Sequence, residues 1–370
     1  MPVVGGVDIR LERNLHVRWW HSILVPVGSV LVALFVGGLF LVLTDREPDV
    51  VYRELFEAGF TTWFGFTDSV SVAIPLVLTG LAAAFAFRMN LYNIGAEGQL
   101  YAGAIASAWA GLALAPDLPK PLALAVVLLA GAIGGAVWIV IPALTRAWLG
   151  TSEIITTLLF NYVALYLMRY LIFGSNSYWR DPTVTNFPQG KVIDDAARLP
   201  AFGTTRVHWG LLVVLALVVV VWATHAFTRF GFDMKVLGDS PSAARYAGIP
   251  IRRTVVVVML ISGGFAGLAG ATEVSGRAYT LDPSGLTLSL GYTGIVIAAL
   301  ARYNPFGVVL VALLLGGLHN ASISLQSTAG NRVPLAISFM LEGIILLFAL
   351  GGELFRRNRL VVRRRAAVAA

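Results

Sequence analysis

The residues best placed to do chemistry in this chain are polar groups stranded in apolar surroundings. The clearest set lies in Phe87-Arg88-Met89-Asn90-Leu91-Tyr92-Asn93-Ile94-Gly95-Ala96-Glu97-Gly98-Gln99-Leu100. Asn93, Glu97 and Gln99 fall at or just inside a long apolar run, and Gly95 and Gly98 flank the acid. A charge at the centre of a bilayer costs roughly 2.5–3.5 kcal/mol even on lenient insertion scales. Such a group survives where it lines a wet cavity, pairs with another group or satisfies broken backbone. Two readings follow: a discontinuous segment beside a path for a polar solute, or a hydrogen-bonded knot between helices that touches no solute. The second half holds His319, Asn320, Gln326 and Glu342, the acid lying between Leu341 and Gly343 near the middle of the last apolar run. Glu342 is likewise either a pathway group or a buried structural acid.

A second pattern is mechanical. Within Gly231 to Pro250, Ser240 or Asp239 can cap a helix start, Pro241 fits the first turn, and Gly248 suits a left-handed stop. The spacing predicts a short helix over Pro241 to Ala247. Such a helix held between spans can receive a push from a soluble motor; it can also be an ordinary surface helix.

Several chemistries are excluded by absence. There is no G-x-x-x-x-G-K-[ST] phosphate loop, and only Lys120, Lys191 and Lys235 are lysines. No H-E-x-x-H or G-x-S-x-G string occurs, the five histidines are scattered, and cysteine is absent. Nothing points to a catalytic residue or a metal site.

The elements that must hold these groups are membrane helices. Of 370 residues, 57% are hydrophobic and 13% charged, against about a quarter charged in soluble domains. Runs long enough to span a bilayer, about 20 residues, are expected at 23–43, 71–87, 94–115, 121–145, 153–173, 209–227, 254–274, 287–301, 306–326 and 334–352. The fold class expected is therefore an all-α integral membrane protein of about ten spans. A segment 1–22 precedes a transmembrane body over 23–355, with long loops at 44–70, 174–208 and 228–253, and a basic tail over 356–370.

The tail carries Arg356, Arg357, Arg359, Arg363, Arg364 and Arg365, so the net charge of +7 is largely a tail effect rather than a nucleic-acid footprint. Arg88, Arg146, Arg229, Lys235, Arg245, Arg252, Arg253 and Arg302 fall in loops on that same side. The positive-inside rule then puts both termini and the 228–253 loop in the cytoplasm. No small-residue cleavage site follows the first span, which is read as retained. Spans 2–5 and 7–10 are expected to form an inverted repeat, each half holding a Gly-interrupted polar stretch, Asn90–Gly103 and Gly285–Gly307. Gly131/Gly135 and Gly263/Gly267 have helix-packing spacing.

These strings resemble a known family. Ile74-Pro75-Leu76-Val77-Leu78-Thr79-Gly80-Leu81 and Asn93-Ile94-Gly95-Ala96-Glu97-Gly98-Gln99 are similar to the permeases of ATP-binding-cassette importers in the ribose/branched-chain amino acid superfamily, simple-sugar and nucleoside branch. So are Gly150 to Tyr162, Ala243 to Ile249, and Gly291 to Leu300 followed by Asn304-Pro305-Phe306-Gly307. The pattern departs at Ala301-Arg302-Tyr303, which replaces a glycine-rich approach.

The resemblance implies a transport subunit and not an enzyme, importing nucleosides, or else simple sugars or amino acids, by alternating access across a prokaryotic plasma membrane. It implies a second, non-identical permease, an extracytoplasmic substrate-binding lipoprotein, and a cytoplasmic ATPase chain with two ATPase domains that binds the ATP and Mg. This chain itself needs no cofactor. Asn93, Glu97, Gln99, Asn161 and Glu342 would then line the substrate pathway. Ser240, Pro241, Ala244, Arg245, Tyr246 and Gly248 would form the coupling helix that meets the ATPase. The rivals are an ion-gradient-driven transporter using Glu97 and Glu342, and a membrane-embedded enzyme.

Overall fold

The computed structural model describes residues 7–13, 21–184, 186–286, 289–325 and 334–364. The chain begins with β1 (Val7–Arg13), α1 (His21–Leu43) and α2 (Pro48–Phe56). It continues through α3 (Trp63–Phe87), α4 (Ala96–Ala113), α5 (Lys120–Trp138), α6 (Val140–Leu144) and α7 (Glu153–Arg169), the last running on in a wider turn to Gly174. After an irregular stretch come α8 (Gly210–Phe227), α9 (Arg229–Asp239), α10 (Pro241–Tyr246) and α11 (Ile251–Glu273). The remaining elements are α12 (Pro283–Leu286), α13 (Leu290–Leu300), α14 (Pro305–Ser324), α15 (Leu335–Arg357) and β2 (Asn358–Arg364).

The fold is nearly all helical, and a helix overlaps each expected span, the one over 121–145 being divided between α5 and α6. Among the described residues, seven helical stretches are by themselves long and apolar enough to cross a membrane. α4 is not one of them, because Glu97, Gln99 and Tyr101 occupy its first turns. The expected loop 44–70 is instead mostly helical, containing α2 and the start of α3.

The helices fall into two compact units. The first, Met1–Leu55 with Ser322–Ala370, packs α1 on α15. A side chain at Gly37 would meet Leu341 and the Tyr52 hydroxyl, and that hydroxyl donates to the Leu34 carbonyl at 2.6 Å. β1 and β2 pair antiparallel with Val7 opposite Arg364 and Arg13 opposite Asn358. This ribbon departs from the all-helical expectation. Its physical reason lies in Val7-Asp8-Ile9-Arg10-Leu11-Glu12-Arg13, which alternates apolar and charged residues at the strand period of two.

In the second unit, Phe56–Ala321, α3 is the spine and is buried along nearly its whole length. α4, α5 and α11 pack together beside it with their backbones in contact. Gly103 of α4 and Gly135 of α5 both abut Gly267 of α11, and any Cβ there would strike its backbone. The two glycine pairs at helix-packing spacing thus prove to be each other's partners, Gly131/Gly135 against Gly263/Gly267. α5 and α8 lie outside and turn apolar side chains outward: Leu129, Ile133 and Val137 on one, Leu212, Leu215 and Val219 on the other. Such faces suit lipid. The stretch between α7 and α8 is ordered by backbone bonds, Ile193 N–H to the Tyr279 carbonyl at 2.9 Å and Leu199 N–H to that of Ser275 at 2.8 Å.

Candidate functional site

The segment between α3 and α4 is broken because Asn90 takes a left-handed conformation (φ 53°) that ends α3. The chain then runs extended until Gly95 starts α4. The free backbone groups at this break need partners, and the polar residues of the Asn93–Gln99 string supply them. Asn93 Nδ2 donates to Gln99 Oε1 at 2.9 Å and to Ser262 Oγ at 2.8 Å, while Asn93 Oδ1 accepts from Gly95 N–H and Gln99 Nε2, both at 2.9 Å. Ser262 Oγ in turn donates to the Ala82 carbonyl at 2.7 Å. α3, α4 and α11 are thereby pinned at one point.

Glu97 makes the second half of the knot. Its Oε1 accepts from the Tyr101 hydroxyl at 2.5 Å and its Oε2 from Gly291 N–H at 2.6 Å. Gly291 is the second residue of α13, whose start is preceded by Ser289 at φ 59°. One carboxylate therefore caps the start of α13 while sitting in the first turn of α4. Both are positive helix ends, where negative charge is favoured. Gly291 is required because a Cβ there would collide with the Glu97 backbone. Thr79 Oγ1 of α3 closes the same junction by donating to the Leu290 carbonyl at 3.0 Å.

Asn161 of α7 is the third part. Its Oδ1 accepts from Gly98 N–H at 2.8 Å, and its Nδ2 donates to the Ile94 carbonyl at 2.9 Å and the Tyr292 hydroxyl at 3.0 Å. The structure thus brings Asn93, Glu97, Gln99 and Asn161 together in one buried network, none more than 3% exposed. The side chain of Glu342 and the whole of Gln326 lie outside the described residues. Sequence reasoning missed Tyr101, Ser262 and Tyr292. Tyr101 was accessible, being one turn from Glu97 on the same helix face; Ser262 and Tyr292 come from distant elements and carry no local signal.

The expected loop helix is α10. Ser240 Oγ accepts from Ala243 N–H at 3.3 Å, Pro241 opens the helix, and Gly248 (φ 72°) follows its end. Ala244 is wholly buried, whereas Arg245 is exposed and Tyr246 is 97% exposed. A groove of about 760 Å³ beside it is lined by Arg245, Arg252, Arg253 and Trp148 among apolar neighbours, with no acidic residue on its walls.

The chain matches, over residues 65–350, the family described as the permease component of branched-chain amino acid transport systems. It is 35% identical to the glucose ABC transporter permease protein TsgB13 of Haloferax volcanii, over 96% of this chain and 94% of that one. It is 33% identical to the guanosine ABC transporter permease protein NupP of Bacillus subtilis (90% and 94%). It is 27% identical to a second guanosine permease of that organism, NupQ (77% and 90%). The chain belongs to this permease family. It is a multi-pass membrane transport subunit and not an enzyme.

Within this permease the knot and the loop helix are joined. Asn90 Nδ2 donates to the carbonyl of Gly238, near the end of α9, at 2.7 Å. Gly238 lies so close to Arg88 and Met89 that a Cβ would press on their backbone. On the other side, Tyr92 N–H donates to Glu153 Oε1 at 3.2 Å, and Arg146 Nε pairs with Glu153 Oε2 at 3.1 Å. The short segment from Arg88 to Asn93 thus connects α9 and α10 at one end to the buried network at the other.

Proposed function

We propose that this chain is one half of the pore of an ATP-driven importer of nucleosides, working by alternating access, with α10 as the coupling helix. The observation that carries this reading is Tyr246, an aromatic side chain left 97% exposed on a rigidly capped helix. Exposed aromatics with arginine beside them mark contact surfaces, and the three arginines that line the otherwise apolar groove next to it complement an acidic partner. The partner is a cytoplasmic ATPase chain, carrying two ATPase domains with their ATP and Mg. This chain has no phosphate loop to bind nucleotide itself. A push on α10 reaches the network through Gly238 and Asn90, and the network is where the starts of α4 and α13 meet.

Those two starts lie in the stretches expected to be equivalent in an inverted repeat, which supports a pathway wall at their junction. On this reading Asn93, Glu97, Gln99 and Asn161 hold the wall, with Tyr292 as its solute-facing outlet.

The relatedness to both NupP and NupQ supports a pore built from two non-identical permeases, and their names support guanosine-like cargo. TsgB13 favours a second reading, glucose. An extracytoplasmic binding lipoprotein would deliver either. Both termini lie in the cytoplasm, a placement supported by the β1–β2 pairing and the arginine-rich ends.

The test of coupling is Arg245→Glu in the assembled transporter. ATP hydrolysis should persist while uptake falls at least about tenfold, with membrane insertion unchanged; wild-type uptake would refute the placement of the ATPase contact. Uptake of labelled guanosine against labelled glucose by the wild type decides the cargo.

A further inference from the structure

α7 is half dressed for protein and half for something else. Asn161, Ala164 and Met168 are buried in the unit. On the other face Tyr162, Tyr166 and Tyr170 recur every fourth residue, 55%, 63% and 60% exposed, with Arg169 also exposed between them. Among the described residues none of the three hydroxyls has a hydrogen-bond partner.

Lipid is a poor cover for this face. The apolar stretch of α7 runs over Glu153–Gly174. At 1.5 Å per residue Tyr162 sits roughly 14 Å along it, near the centre of a hydrocarbon layer about 30 Å thick. An unpaired hydroxyl in hydrocarbon costs about 1–3 kcal/mol by protein data, and an arginine more. Tyrosines at a membrane interface form a belt, but these three extend over roughly 12 Å of the axis, too far for one belt. The same unit shows what its lipid faces look like: on α8, Leu212, Leu215, Val219 and Val220 point outward without one polar atom.

The wet alternative has support beside it. Tyr292, the outlet of the buried network, is half-buried, its hydroxyl held at 3.0 Å by Asn161, the residue that directly precedes Tyr162 in α7. Three phenol rings thus recur along α7 a turn apart, and Tyr292 of α13 reaches the same helix at Asn161, the residue before the first of them; each ring has an apolar face and a polar tip. A planar, polar ring is the cargo such a lane fits. Stacking on an aromatic side chain contributes about 1–3 kcal/mol per nucleobase, and the hydroxyls supply donors and acceptors to the edges.

We propose that Tyr162, Tyr166 and Tyr170, with Tyr292, form a water-exposed stacking lane along which a nucleobase-bearing solute passes, handed from one ring to the next a helical turn on. This rests on the nucleoside reading above for its cargo, but not for its exposure to water.

The absence of native cysteine makes the test direct. Tyr166→Cys and, as a lipid-face control, Val219→Cys are introduced singly into the complete transporter in membrane vesicles and treated with a charged, water-borne thiosulfonate. Tyr166→Cys should react and be slowed at least about threefold by guanosine, while Val219→Cys stays silent. If Tyr166→Cys is silent to that reagent, the lane is overturned, whether a lipid-soluble maleimide then finds it or it cross-links to the second permease. A reactive Tyr166→Cys that guanosine leaves untouched, in a wild type shown to import guanosine, also overturns it. A wild type that imports glucose and not guanosine defeats the cargo reading instead, and glucose protection then decides the lane. In uptake, Tyr162→Phe should keep the KM for guanosine within about twofold, and Tyr162→Leu should raise it about tenfold. Equal KM values for the two would exclude stacking at that ring.

Discussion

Glu97 shows why a buried acid in a membrane helix need not touch a solute. Its two oxygens are occupied by the Tyr101 hydroxyl and the Gly291 N–H, and both donor residues are buried inside the protein. Glu97→Gln keeps one acceptor oxygen but replaces the other with a donor facing a donor. Glu97→Leu leaves both donors unpaired, each costing roughly 1–3 kcal/mol. The expected order of thermal stability in detergent is therefore wild type, then Gln, then Leu. Equal melting points for all three would mean the carboxylate is not the cap of α13. His208 offers a different residue-scale test, lying outside the spans. Its Nδ1 accepts from Gly210 N–H at 3.2 Å, and its Nε2 faces Gly276 without a partner among the described residues. Burial, with Arg277 nearby, lowers its pKa to about 4 from 6.5. The unfolded chain therefore takes up a proton below 6.5 that the folded chain refuses, so stability is full above 6.5 and falls as pH drops toward 4. The slope is about 1.4 kcal/mol per pH unit from this group, and His208→Gln should flatten that part of a melting-point-versus-pH curve.

At the scale of elements, what was legible followed from local rules. The Ser240-Pro241 start and Gly248 stop delimit a helix by capping alone, and α10 lies where they put it. The glycine pairs on α5 and α11 were visible as small-residue spacing, yet nothing local said that they pack on each other. That pairing is a contact across more than a hundred residues of chain, set by the tertiary fold. The Asn93 string was legible as polar groups in an apolar run, but the partners that tie it into a network, Ser262 and Gly291, come from distant elements. The departure at Ala301-Arg302-Tyr303 has a backbone consequence: Arg302 (φ 53°) and Tyr303 (φ 61°) both take left-handed conformations that glycine adopts without cost. The α5–α11 contact yields its own prediction. Gly267→Val forces Cβ and two methyls against the backbone of Gly131 and Gly135. It should lower the yield of folded protein severalfold and its melting point by many degrees. Gly264→Val, on the same helix with only the Ala132 carbonyl at 3.6 Å from its Cβ, should be nearly silent. Equal damage from both would point to helix propensity rather than the contact.

At the scale of the whole molecule, the chain ends are tied into one ribbon, and that constrains how many times the chain crosses the membrane. Two strands can pair only if they emerge on the same side, which requires an even number of crossings, as ten would be. The register puts Asp8 opposite Arg363 and Glu12 opposite Arg359. Because the chain has no cysteine, Ile9→Cys with Val362→Cys, directly opposed in the register, should form an intramolecular disulfide on mild oxidation. Ile9→Cys with Val361→Cys, one residue out of register and on the other face, should cross-link far less. Cross-linking of neither pair, or of both equally, would dissolve the ribbon and with it the even count. If the first pair alone closes, a membrane-impermeant thiol reagent applied to intact cells expressing either single cysteine should fail to reach it on the proposed cytoplasmic placement of both ends. Labelling from outside at Ile9→Cys would invert the orientation, carry α10 to the wrong side for any ATPase, and overturn the coupling proposal together with the topology.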